Sequence, residues 1–221
     1  MKPLAGAPVR ALLMLVLCCF MGGCAGSLFK TEVAPPTMYL LSIAPPPAAA
    51  ASGSVREADP PFDLAVLKPR VRAGLDTDRI AALYPDRRLD YFADARWSGP
   101  LDEVIQDLVV QAFHSRAGLR NVSGDASAFA SAYWLEIEVA DFQAEYADGG
   151  SPPNVHVHFL ARIGSSGERR IIARFEASAR QPAAANRLSA IVDAYDRAAN
   201  EALMQIAAGC AAALAPDSKT R

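Results

Sequence analysis

Only one of the four cysteines in this 221-residue chain, Cys210, lies beyond residue 24. The other three close a segment built like an export signal, with a basic start (Lys2, Arg10), an apolar run over residues 11–21 and small residues after it. That run is shorter than the roughly 20 apolar residues a bilayer core demands. An exported chain meets an oxidising compartment, where domains commonly rely on disulfides. Here Cys210 has no cysteine left to pair with, so packing alone must supply the stability. Cys210 falls in step with Leu203 and Ile206 on the apolar stripe of the last predicted helix, which predicts a buried structural thiol.

Met21-Gly22-Gly23-Cys24 ends the apolar run, and small residues directly before a cysteine resemble the bacterial lipobox. In that pattern the cysteine is acylated and becomes the first residue of the mature protein. Met21 stands where leucine is usual. Bulky Leu17 before Cys18, and Cys18 before Cys19, make those two poorer sites, so Cys24 is the expected lipidation site. The lipoprotein pattern also implies sorting to the outer membrane, since Ala25 and Gly26 lack the aspartate associated with inner-membrane retention.

This reading divides the chain into a signal peptide (1–23), a tether (24–36), one domain (37–215) and a short tail (216–221). The tether ends in Pro35-Pro36, and about 12 extended residues span at most about 40 Å, which keeps the domain close to its membrane. Losing Lys2 and Arg10 takes Lys+Arg from 22 to 20 against 24 Asp+Glu, so the mature chain carries −4. With that balance and no arginine stripe, the electrostatic footprint of a nucleic-acid binder is missing.

Strand signals dominate. Residues 37–43 read as a strand, and residues 44–61, with Pro45-Pro46-Pro47 and an Ala/Ser/Gly run, as a low-complexity loop. Residues 62–71, 79–84 and 89–95 read as further strands. At Pro100 the period changes. Leu101, Val104, Ile105, Leu108, Val109, Ala112 and Phe113 recur at helical spacing, with Asp102 and Glu103 at the positive end of the helix dipole. A short strand is expected over 119–122 and a long one over 133–146. In the long strand the apolar parity flips past Ala140, which predicts a β-bulge near Ala140 and Asp141. Residues 155–163 and 170–179 predict a hairpin with odd residues inward, a loop of three or five residues, and Gly167 in the left-handed position. A second helical stripe runs from Leu188 to Leu214. The expected fold is α+β, a mostly antiparallel sheet with both amphipathic helices packed on one face.

Little in the sequence points to chemistry. His156 and His158 share one strand face, a feasible metal pair, but no cysteine or nearby acidic cluster completes a site. They read as solvated histidines of the outer face, as does His114 beside Asp107 and Gln111 on a helix. Glu136 and Glu138 are expected to face Arg162 and Arg174 as cross-strand ion pairs. Nucleophile elbows, zincin motifs and phosphate-cradling glycine loops do not occur, so no metal, no cofactor and no enzymatic activity are expected.

One stretch is more specific. Arg79-Ile80, Leu89-Asp90-Tyr91-Phe92 and Arg96-Trp97-Ser98-Gly99-Pro100-Leu101, opening an amphipathic helix, resemble the auxiliary lipoprotein component of ABC-type transporters, a family that includes PqiC-like envelope lipoproteins. Met38-Tyr39-Leu40-Leu41 soon after a lipidated cysteine fits the same pattern. The resemblance spans most of the mature chain, and departs before Arg79, where Arg72-Ala73-Gly74-Leu75-Asp76 replaces a proline-and-leucine turn. It implies a non-catalytic, periplasm-facing lipoprotein that works with a ring-forming MCE-type substrate-binding protein and an inner-membrane ABC transporter, in moving lipids or other hydrophobic molecules. A ring partner further implies a homo-oligomer. The other reading of the residues is a structural or regulatory envelope lipoprotein that transports nothing. Within the motif, Arg79, Tyr91, Arg96, Trp97 and Leu101 either close the end of the core or present a docking surface, since Trp, Tyr and Arg are common interface anchors. Burial of the Trp97 ring discriminates between the two.

Overall fold

The computed structural model describes residues 35–43, 62–114, 119–124, 131–147 and 151–214. The expected signal peptide, Cys24, most of the expected tether, the proline-rich stretch and the expected tail lie outside them. Among the described residues the strands are β1 (Thr37–Tyr39), β2 (Phe62–Val66), β3 (Arg70–Val71), β4 (Arg79–Leu83), β5 (Leu89–Trp97), β6 (Leu119–Ser123), β7 (Tyr133–Glu145), β8 (Asn154–Ser165) and β9 (Arg170–Pro182). Helix α1 (Leu101–His114) follows β5, and α2 (Leu188–Leu214) ends the fold.

The long strand β7 organises the sheet. One edge pairs antiparallel with β8 from Tyr133↔Ser165 to Glu145↔Asn154, and β8 pairs antiparallel with β9. The other edge of β7 is tiled by three short strands, all parallel to it: β2 at Leu64↔Tyr133, β3 at Arg70↔Glu138 and β4 at Ala82↔Ala144. Beyond β2 lies β6, again parallel, while β4 carries β5 antiparallel and β5 carries β1 parallel. The long β7–β8 and β8–β9 ladders keep the sheet mostly antiparallel, as expected, and the short strands add parallel pairs that make it mixed. Parallel pairing needs a long crossover. The path from β4 through β5, α1 and β6 back to β7 supplies it.

The bulge expected in the long strand is present. Val139 pairs with Phe159 and Asp141 with His158, leaving Ala140 as the extra residue. It keeps Leu135, Ile137 and Val139, then Phe142 and Ala144, on the buried side of one continuous strand. The β8–β9 turn differs from expectation. Four residues, 166–169, make the turn, and Arg169 (φ 51°) takes the left-handed position assigned to Gly167. Parity is restored within β9, where Ile163 faces Ala173 but Gly164 faces Ile171, so Ile172 is bulged. Gly164 lies under the indole of Trp134. A Cβ there would overlap the ring, so any larger residue would have to displace the indole.

Both helices pack on the same face and share one core with the sheet. The buried residues of α1 are the seven expected from the sequence. Its Gln106 donates to the carbonyls of Val66 (2.9 Å) and Gly124 (2.6 Å), holding the helix over the ends of β2 and β6. Alanines 190, 194, 198, 199 and 202 bring α2 close to the sheet, and Cys210, near the end of the same helix, is buried with its thiol pushed up to about 12 by desolvation. Leu108 is 1% exposed in mid-stripe, so Leu108→Ala is expected to cost about 2–5 kcal/mol in a denaturant titration.

Candidate functional site

Strand alternation splits the Arg79-to-Leu101 motif in two. Trp97 and Leu101 turn inward and are 1% and 2% exposed. The indole meets Tyr195 edge-on at 5.1 Å and Phe142 at 5.9 Å. The Tyr195 hydroxyl, fully buried, donates to the Ala81 carbonyl at 2.8 Å, and desolvation raises its pKa well above the usual phenol value. Backbone bonds from Trp97 to Asp78 (2.7 Å) and from Leu101 to Thr77 (3.2 Å) tie the strand end and the helix start to one turn. Trp97 thus closes the core.

Arg79, Tyr91 and Arg96 stay at the surface. The Arg79 guanidinium lies over the Tyr91 ring at 4.1 Å, and the Tyr91 hydroxyl donates to the Gly74 carbonyl at 2.7 Å. Gly74 sits at φ 90°, a conformation glycine adopts without strain. Arg96 donates to Asp78 at 2.7 Å. Arg79, Arg96 and Met38 are register partners across β4, β5 and β1, so their side chains stand in one row on the face away from the helices.

The chain just after β1 is gripped by α2. Asp196 accepts from the Ser42 amide (2.9 Å) and hydroxyl (3.3 Å), and Asn200 donates to the Ser42 carbonyl (2.8 Å). Half-buried Asp196 has its pKa raised by desolvation, against the lowering effect of the Ser42 bonds. Leu41 beside it is buried, whereas Met38 and Leu40 are 52% and 72% exposed. Sequence patterning carries no sign of this grip, whose partners stand 154 or more residues apart.

The remainder of the outer face is an ion-paired lattice. Glu136 takes Arg70 (2.6 Å) and Arg162 (2.7 Å), as expected for Arg162. Arg174 instead faces Arg162 in register, and Glu138 faces Arg70 and Leu160. Asp141 meets Arg72 (3.4 Å) and His158 (3.3 Å), and His158 also meets Glu176 (3.0 Å). His156 lies 3.0 Å from Glu145 and 3.2 Å from the Ser178 hydroxyl, while Arg180 pairs with the same Glu145. Buried Gln143 donates to Asp141 and Glu145, both at 3.2 Å.

The two histidines share a face, as expected, but they are not solvated. His156 is 9% exposed, and its ring stacks 6.2 Å from that of His158. Long side chains on β7 and β9 cover what a single strand's parity would leave open. His156→Ala is therefore expected to cost about 1–3 kcal/mol in a denaturant titration, because its partners lose a buried hydrogen-bonding group. A loss within about 0.5 kcal/mol would return it to the solvated surface. His114, at the end of α1, is exposed. Among the described residues, no three His, Cys, Asp or Glu side chains are grouped to hold a metal ion.

Comparison with known proteins agrees with the motif. The sequence model of the ABC-type transport auxiliary lipoprotein component matches residues 39–207, and the chain belongs to that family. Comparison with curated proteins gives no match. A crystal structure of a Xanthomonas campestris protein of the DUF330 family is similar at a TM-score of 0.68 and 21% identity, over 80% of this chain and 96% of that one. The crystal structure of an uncharacterized protein is similar at 0.62 and 15% identity, over 80% and 99%. Both share the fold. Membership in a lipoprotein family implies anchoring to the cell envelope, and no helix among the described residues is long and apolar enough to cross a membrane.

Proposed function

We propose that this protein is a non-catalytic, lipid-anchored accessory subunit of an envelope transport system that couples an inner-membrane ABC transporter to a ring-forming MCE-type protein. Its cargo class is lipids or other hydrophobic molecules. The observation that carries this reading is the family match over residues 39–207, which opens in β1, 15 residues after the lipobox cysteine. In this reading residues 1–23 are removed, Cys24 is acylated, residues 24–36 tether the domain (37–215) beneath the outer membrane, and residues 216–221 form a tail.

A ring partner favours a symmetric assembly, because one docking contact repeats around the axis and weak contacts multiply. The protein is therefore expected to self-associate and to bind the MCE partner as an oligomer. Analytical ultracentrifugation of the fragment 25–221, which lacks the lipidated cysteine, at tens of micromolar, alone and with that partner, reads both. A strict monomer in each case, with no complex, would favour a structural lipoprotein that transports nothing.

A further inference from the structure

The sheet edge nearest the tether carries an unusual combination of side chains. Met38 and Leu40 share a parity on and just after β1 and point away from the core, and Leu40 is the most exposed large hydrophobic residue among those described. Arg96 and Arg79 continue the Met38 row across β5 and β4, and Tyr91 lies beneath the Arg79 guanidinium. Asp78 balances Arg96, which leaves the stacked Arg79 charge facing outward. Two exposed apolar side chains beside arginine and tyrosine make up the composition of a membrane-interface contact. The apolar groups enter the acyl boundary, tyrosine favours headgroup depth, and guanidinium groups meet phosphates.

Position distinguishes a bilayer from other occupants. The tether ends at this edge, since Thr37 opens β1 about 12 residues after the anchor. Such a short link holds its root within about 40 Å of the lipid surface, where even a weak contact forms at high effective concentration. The root is also rigid. Ser42 is held by Asp196 and Asn200, and β1 is paired to β5, so the patch cannot swing independently of the domain.

We infer that Met38, Leu40, Arg79, Tyr91 and Arg96 form a docking surface for the phospholipid bilayer in which the anchor is embedded. It orients the domain with the β1–β5 edge against the membrane and with β9, at the far side of the sheet, turned toward the periplasm. The inference rests on the lipid-anchored reading of Cys24, and its test separates the two.

The acylated full-length product, carrying an environment-sensitive fluorophore at Leu40→Cys or Met38→Cys, is reconstituted into phosphatidylethanolamine–phosphatidylglycerol vesicles. Leu160→Cys, on the ion-paired face, serves as the control. Unlabelled wild type is floated first. The expected result is flotation, several-fold stronger quenching by brominated lipid at positions 38 and 40 than at 160, and weaker quenching by aqueous iodide there. Flotation with 38 and 40 as open to iodide as 160 overturns the docking surface and leaves the anchor standing. Shielding from both quenchers places a second copy or another protein on the patch and overturns the bilayer assignment. Failure of the wild type to float overturns both the anchor and the surface.

Discussion

Trp97→Ala is expected to destabilise the domain by about 3–5 kcal/mol, the upper range for truncating a buried aromatic. The indole fills the junction where β5 ends and α1 begins, edge-on to Tyr195 from α2 and close to Phe142 from β7. Its removal empties a cavity touched by three elements and loses two aromatic pairs, each adding about 0.5–1.5 kcal/mol beyond area burial. Trp97→Phe is expected to recover part of the loss. Urea unfolding followed by circular dichroism measures both variants. A docking anchor behaves differently: its loss leaves the unfolding midpoint in place and removes a partner.

Cys24→Ala is expected to act in an all-or-none manner. Without the thiol the lipobox has no acceptor, so the protein should accumulate as unprocessed precursor that still carries residues 1–23 and no acyl chain. Each buried methylene adds about 0.8 kcal/mol of membrane affinity, so several acyl chains together make a long-lived anchor. Intact-mass spectrometry of envelope fractions distinguishes acylated mature chain from precursor. Unmodified mature protein in the soluble periplasm of the wild type would contradict the assignment.

The faces of the elements were legible in the sequence because burial follows period. The seven apolar positions of α1, the parity flip at Ala140 and the Cys210 stripe all correspond to buried residues. Strand direction was not legible. A strand buried against its neighbours shows the same pattern whether it runs with or against them, and β2, β3 and β4 proved parallel to β7. The β8–β9 turn misled because parity demands one extra residue without saying where, and Ile172 supplied it inside the strand. The candidate motif was half legible. Its residues do cluster, but strand alternation sends Trp97 into the core and leaves Arg79 and Arg96 outside. The covering of His156 depends on Glu145 and Arg180, which tertiary pairing alone brings beside it.

The central claim is tested most directly by affinity purification of the lipidated, full-length protein from detergent-solubilised envelopes, with identification of what accompanies it. The account expects an MCE-type protein together with the permease and ATPase of an ABC transporter, all lost in Cys24→Ala. Recovery of the protein alone, or with an envelope component unrelated to transport, would contradict it.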